Sequence, residues 1–243
     1  MPELRFDFIG SGNAFMPGGL CCNGFVVNGR YLFEAPPQAL MSLGKMQIDP
    51  NELEAVVISH HHGDHFLGLP FLLLHWKWKG RVRPVKIVGP RRTRELATRI
   101  VNDVFPGALG GSYEIEWIEA EPERCLTLGQ LTVEPVEVQH DPELSQTLGY
   151  AATVGGRRFG YTGDTIFCPA VVQLARHSEV LVSECASRDL SIPVHMNLVD
   201  DMPRVRAALA PDAHLILTHI SPDVDDHGLA HTTVAQDFAT YRF

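Results

Sequence analysis

The chain has little of what would place it in several common classes. No apolar run reaches the roughly 20 residues of a membrane span; the longest, residues 66–76, contains Pro70 and His75. The opening Met1-Pro2-Glu3-Leu4-Arg5-Phe6-Asp7 has neither the basic nor the long apolar segment of a signal peptide. A soluble, cytoplasmic protein with no membrane partner is therefore expected. Five cysteines, Cys21, Cys22, Cys125, Cys168 and Cys185, are odd in number and irregular in spacing, which fits reduced thiols better than a disulfide framework. Cys21 and Cys22 have no CxxC partner and do not make a zinc pattern. With no linker, charge block or repeat in 243 residues, a single domain over 1–243 is expected. Basic residues are scarce, 20 against 29 acidic, for a net charge of −9. That balance argues against a broad nucleic-acid face, which needs cations to displace counterions from phosphates, and leaves a small-molecule substrate as the expected partner. Arg91, Arg92 and Arg94 are a local exception, read as the solvated start of a helix after Gly89-Pro90.

Alternating apolar residues predict strands over 4–9 and Gly24–Val27, with Asn28-Gly29 turning the chain into Tyr31–Phe33. A short helix follows over 37–43 and a buried strand over 55–59. Residues 68–78 predict a helix that is apolar on nearly every side, hence packed between other elements, and closed by Gly80. Beyond it come a strand at 85–88, a helix at 92–104, and strands at 113–119 and 131–138. A hairpin of 149–154 and 158–161 is followed by a helix at 169–176, a strand at 180–183, a helix at 199–209, a strand at 215–218 and a last helix at 232–238. Two β-rich halves with helices outside make an α/β layered fold.

What the sequence does have is histidine, and it is concentrated. In Ser59-His60-His61-His62-Gly63-Asp64-His65, imidazoles in the pattern HxH…H join a carboxylate directly after the predicted strand 55–59. Neutral imidazole and carboxylate are zinc-type ligands, and a loop leaving a rigid strand can aim them at one point. Ligand-type residues recur at the ends of other predicted strands, as His140, Asp164 and His219, so four strand ends converge.

In this order the residues resemble the metallo-β-lactamase superfamily, whose signature [ST]-H-x-H-x-D-H stands as Ser59, His60, His62, Asp64 and His65, followed by His140, Asp164 and His219. The resemblance covers nearly the whole chain and implies an αββα sandwich with a metal site at one edge. It implies two divalent ions per chain, zinc first and manganese or iron as alternatives. His60, His62 and His140 would hold one, Asp64, His65 and His219 the other, with Asp164 bridging. His61 would point elsewhere, and Gly163 would give the backbone room at the bridge. Two dications about 3.5–4 Å apart lower the pKa of a shared water and stabilise charge on attacking and leaving oxygens. Hydrolysis is the implied reaction, with Asp64 or Asp164 as a secondary aid in orienting the water or accepting its proton.

Departures narrow the branch. Class B β-lactamases with two zincs generally differ at the position of Asp164. Glyoxalase II enzymes share a segment like Thr162-Gly163-Asp164-Thr165-Ile166-Phe167 but add a helical domain, whereas this chain runs 24 residues beyond His219. Lactonases of this pattern carry a tyrosine where Phe167 stands, and the iron oxidoreductases of the fold depart from the full ligand set. The opening Phe8-Ile9-Gly10-Ser11-Gly12-Asn13-Ala14-Phe15 resembles the first turn of ribonuclease Z-like proteins, although a tight turn alone explains its glycines. By the same resemblance, His195 would protonate the leaving group or steady a phosphate oxygen, Glu184 would orient it, and Glu34 would lie beneath the metals. Transfer-RNA-processing members carry a long arm, commonly between the third metal histidine and the bridging aspartate, but His140 and Asp164 are only 24 residues apart. This argues against transfer RNA and for a phosphodiesterase acting on a small phosphodiester or cyclic nucleotide-like substrate. A lactone, ester or thioester hydrolase on the same site is the alternative, with a non-catalytic metal sensor behind it. His227 and His231 read as loop and helix start, His75 as structural, Trp76 and Trp78 as packing residues, and a homodimer as the base-rate assembly.

Overall fold

Asn28 and Gly29 both take positive φ, 50° and 71°, so the first hairpin closes in the tight turn that this dipeptide favours. The computed structural model describes residues 3–243. The first half contains β1 (Arg5–Gly10), β2 (Gly24–Val27), β3 (Tyr31–Phe33), α1 (Ala39–Lys45), β4 (Ala55–Val57), α2 (Gly63–Phe66), α3 (Leu69–Trp78), β5 (Val85–Gly89), α4 (Thr93–Val104) and β6 (Ile115–Glu119). The second contains β7 (Leu126–Leu128), β8 (Leu131–Glu137), β9 (Leu148–Val154), β10 (Arg157–Tyr161), α5 (Pro169–His177), β11 (Val180–Glu184), α6 (Met202–Ala208), β12 (His214–Thr218), β13 (Thr232–Val234) and β14 (Thr240–Arg242).

The strands form two seven-stranded mixed sheets, ordered β14-β1-β2-β3-β4-β5-β6 and β13-β12-β11-β10-β9-β8-β7. Their inner faces meet in an aromatic core where Phe25 stacks on Phe33 at 5.0 Å and Phe6, Phe159, Tyr150 and Tyr161 pack edge-on. A second apolar layer joins the first sheet to α1, α3 and α4, and a third joins the other sheet to α5 and α6. This is the αββα sandwich expected from the sequence.

Most predicted elements appear within a few residues of their expected bounds, and three expectations are corrected. Residues 232–238 are not a helix: Thr232, Thr233 and Val234 are β-branched and pair in parallel with β12, after which β14 pairs with β1 at the edge of the other sheet. The helix expected at 199–209 starts at Met202, because residues 197–201 form a turn in which Asp201 Oδ2 accepts from Asn197 N at 3.0 Å. The helix α3 buries Leu69, Leu72, Leu73 and Trp76 but leaves Phe71 and Trp78 45% and 70% exposed, so it is covered on one side only. β7 and the one-turn helix α2 were not predicted at all.

One interaction that no local pattern signals holds the far end of α3. Arg81, buried at 2% exposure, donates to the carbonyls of Pro50, Asn51, Leu53, Arg83 and Pro84 and lies over the Trp76 ring. Removing the guanidinium strands those carbonyls, so Arg81→Met is expected to lower unfolding stability by about 3 kcal/mol or more. Arg83→Met, which loses only an exposed pair with Glu52, should change it little. Urea unfolding of the two variants would show the contrast, and equal midpoints would sink the assignment.

Candidate metal centre

The strands β8, β10, β11 and β12 run in one direction, through antiparallel pairing of β8 and β10 with β9 and parallel pairing beyond. Their C-terminal ends therefore share one edge of the second sheet, and β4 ends opposite them, close enough for Leu148 N to donate to Ser59 O at 3.0 Å. His60, His140 and Asp164 each come three residues after the end of β4, β8 and β10, and His219 follows directly on β12. All seven predicted ligands are brought together.

They form two groups around one oxygen. His60 Nε2 and His140 Nε2 lie 3.1 and 3.2 Å from His62 Nδ1, and 3.8 and 4.0 Å from Asp164 Oδ2. On the other side, His65 Nε2 and His219 Nε2 each lie 3.2 Å from that same Oδ2, and 3.0 and 3.3 Å from Asp64 Oδ2. The two groups match the predicted sets, with Asp164 between them. Gly163 has φ 58°, and a Cβ there would sit 2.5 Å from Leu148 O, so the close approach that carries Asp164 requires glycine.

Buried partners set the ring orientations. Ser59 Oγ lies 2.8 Å from His60 Nδ1, and His140 Nδ1 donates to Val194 O at 2.9 Å. Glu34, fully buried beneath the site, accepts from Ser59 N and has an oxygen 3.7 Å from His65 Nδ1. His195 Nδ1 donates to Glu184 Oε1 at 2.9 Å, and its ring stacks on His219 at 5.1 Å and lies 4.9 Å from His140. Glu184 also accepts from Thr165 N, fixing the turn after Asp164.

The electrostatics suit cations. Burial pushes His60 well below, and His140 below, the ordinary imidazole value, keeping their lone pairs free. Burial opposes the charged carboxylates, yet His65 and His219 hold Asp64 and Asp164 well below the usual range. Burial likewise opposes protonation of His195, but the hydrogen bond and charge of Glu184 outweigh it and raise the ring to about 9. Both ring nitrogens of His65, Asp164 Oδ1 and His219 Nδ1 are buried without a hydrogen-bond partner among the described residues. Buried nitrogen and carboxylate atoms that crowd one another, four of them without a hydrogen-bond partner, fit divalent ions of the zinc class.

Other sequence candidates fall outside the cluster. His61 turns away, with Nε2 2.8 Å from Thr93 Oγ1 and its ring against Phe66. No cysteine joins a ligand group among the described residues. Phe167 packs toward α6, with the Arg204 guanidinium 3.7 Å over its ring. Gly10 is a packing glycine, since a Cβ would lie 2.0 Å from Cys22 O. Trp76 is core and Trp78 surface, while His227 and His231 lie in an exposed loop before β13, not at a helix start. Sequence reasoning missed Asp141, whose Oδ2 accepts from His62 Nε2 at 3.1 Å while Oδ1 accepts from Glu143 N. The one available signal was a carboxylate next to a ligand histidine.

A family model described as a beta-lactamase superfamily domain matches residues 30–220. A ribonuclease Z of Pyrobaculum arsenaticum is 27% identical over 265 aligned positions, covering 93% of this chain and 90% of the relative. That span exceeds the 243 residues of this chain, so the relative carries inserted segments that this chain lacks. The metallo-beta-lactamase fold protein YhfI of Bacillus subtilis superposes with a TM-score of 0.81 at 20% identity, covering both chains fully. A diphosphatase from the PhnP family superposes at 0.73 and 20% identity, covering 99% of this chain and 98% of its own.

Asp141 fixes the tautomer that turns Nδ1 of His62 toward its neighbours. Asp141→Ala is expected to weaken zinc binding about 10–100-fold without unfolding the chain, read by chelator competition. Unchanged affinity would show that His62 needs no such support.

Proposed function

The chain belongs to the beta-lactamase superfamily, and we propose that it is a dinuclear, zinc-type phosphodiesterase that hydrolyses a small phosphodiester or cyclic nucleotide-like substrate rather than transfer RNA. The observation that carries the reading is His195. It is an imidazole beyond the two ligand groups, held by a buried carboxylate, with a ring nitrogen within 4.8 Å of ligand-type atoms of His140 and Asp164. A leaving alkoxide needs a proton, and this is where one is held.

His60, His62 and His140 would hold one ion, Asp64, His65 and His219 the other, and Asp164 both. Two divalent ions, when bound, supply charge stabilisation at the phosphoryl oxygens and a water of lowered pKa. Asp64 and Asp164 orient that water while remaining ligands. As the water oxygen, one of its protons released to solvent, bonds to phosphorus and the bond to the ester oxygen breaks, His195 gives the proton on Nε2 to the leaving oxygen and later regains one from solvent. Glu184 keeps the proton on Nδ1, stabilises the cationic ring beforehand, and so fixes which nitrogen faces the substrate. The short connection between His140 and Asp164 and the inserted positions of the ribonuclease Z support a small substrate.

The test combines metal analysis with turnover of bis(p-nitrophenyl) phosphate, an alkyl phosphodiester, a lactone and a thioester. The expected result is about two ions per chain, phosphodiester turnover abolished in Asp164→Ala, and a loss of about 10²–10⁴-fold in His195→Ala. That loss should be larger with the alkyl than with the nitrophenyl leaving group, because the poorer leaving group depends more on a proton donor. Turnover of only the lactone or thioester would move the assignment to those esters, and no bound metal under replete conditions would overturn it.

A further inference from the structure

Beside the candidate metal centre lies a cavity of about 220 Å³ lined by His61, Arg92, Glu95, Leu96, Arg99 and Ser145. Two of its walls are extensions of the ligand loops. His61 stands between the ligands His60 and His62, with its ring fixed from behind: Thr93 Oγ1 donates to Pro90 O at 2.7 Å and so accepts from His61 Nε2 at 2.8 Å. Ser145 belongs to the loop leaving His140. That loop holds His62 through Asp141 and is tied to the start of α4 where Arg91 N donates to Gln146 Oε1 at 3.2 Å. The cavity is thus tied through the chain to the loops that carry His60, His62 and His140.

Its chemistry differs from that of the rest of the chain. Arg91, Arg92, Arg94 and Arg99 bring four guanidinium groups into nine positions of a protein whose net charge is −9. Arg92 is engaged by both oxygens of Glu95, at 2.9 Å each, whereas Arg99 makes no ion pair among the described residues. Guanidinium groups recognise phosphate through paired N–H donors, and the Ser145 hydroxyl adds a further polar group to the lining. Glu95 competes for Arg92, so an occupant must carry enough negative charge to displace it.

We propose that this cavity is a subsite for a second, terminal phosphate of the substrate, held by Arg99 and Arg92 with Ser145, while the scissile phosphodiester lies at the metal centre. The proposal rests on the phosphodiesterase reading and deepens it: the preferred substrate is a phosphodiester that also bears a phosphomonoester.

The test compares thymidine 3′-(p-nitrophenyl phosphate) with the same ester phosphorylated at the 5′ position, using zinc-loaded protein. Wild type is expected to favour the 5′-phosphorylated ester by about tenfold or more in kcat/KM, mainly through KM. The ratio of the two esters should fall toward one in Arg99→Gln. It should rise in Glu95→Gln, which frees Arg92, a change of opposite sign that general loosening of α4 would not produce. Turnover of both esters with equal kcat/KM in wild type overturns the subsite and leaves the phosphodiesterase reading standing. Turnover of neither overturns that reading, and the subsite is then judged by binding of thymidine 5′-monophosphate, which must weaken in Arg99→Gln; equal binding overturns it too.

Discussion

Everything in this molecule is arranged around one buried carboxylate oxygen. Asp164 Oδ2 faces imidazole nitrogens of His60, His65, His140 and His219 at 3.2–4.0 Å, in a side chain only 2% exposed. A carboxylate removed from water costs several kcal/mol unless positive charge compensates it, and His60 and His140 are themselves driven toward the neutral form by burial. Backbone strain, spread over several loops of the chain, is present at this point too. Glu34 and His219 take left-handed φ of 63° and 55°, at about 1–2 kcal/mol each for non-glycine residues. Such conformations persist where the surroundings over-determine them. Here the surroundings are two packed sheets whose strand ends leave no alternative path.

Three further buried or half-buried carboxylates fasten the loops that reach that point. Glu34 accepts from Ser59 N, steadying the exit of β4 into the histidine cluster. Glu184 accepts from Thr165 N and His195 Nδ1, tying the turn after Asp164 to the loop carrying His195. Asp237 accepts from Ser11 N, Ser11 Oγ and Cys21 N, binding the opening loop to the segment between β13 and β14. Hydrogen bonds to a charged acceptor contribute about 1.5–3 kcal/mol each, so these acids hold loops that helix or sheet pairing would not. The last of them explains why β14 returns to the first sheet: the chain must pass Asp237 beside residues 11–21 before pairing with β1.

The ligand set was legible because it is local in two senses. His60, His62, Asp64 and His65 stand within six positions, and each remaining ligand follows a strand whose alternation is readable from its own few residues. Glu184 and His195 were legible only through family resemblance, since 11 residues separate them and no periodicity links them. What could not be read is long-range pairing. Val234, Ala235 and Phe238 imitate a helical stripe, yet Leu215, Ile216 and Leu217 across the sheet take Thr232, Thr233 and Val234 as strand partners, and the left-handed φ of 63° at Phe238 ends any helix. Arg81 and Arg83 look alike in sequence, but only Arg81 meets the carbonyls of residues 50–53. Asp141 meets His62 across 79 positions, a contact that appears only once β4 and β8 face each other.

Charge balance gives the His195–Glu184 pair a second role in the proposed centre. Asp64, Asp164, Glu34 and Glu184 are four carboxylates buried or nearly so around one site, and two divalent ions in the proposed ligand groups would cancel them. A centre that ended there would offer an anionic substrate no net attraction, inside a chain whose net charge of −9 already works against its approach. Salt screens that distributed charge over about 8 Å, so the decision falls to groups within the site. The proton that Glu184 holds on His195 would add one positive charge to that assembly, the magnitude of charge on a phosphodiester. In the proposed reaction the group that donates to the leaving oxygen would therefore also set the charge that admits the substrate, and both proposed roles depend on the same 2.9 Å hydrogen bond.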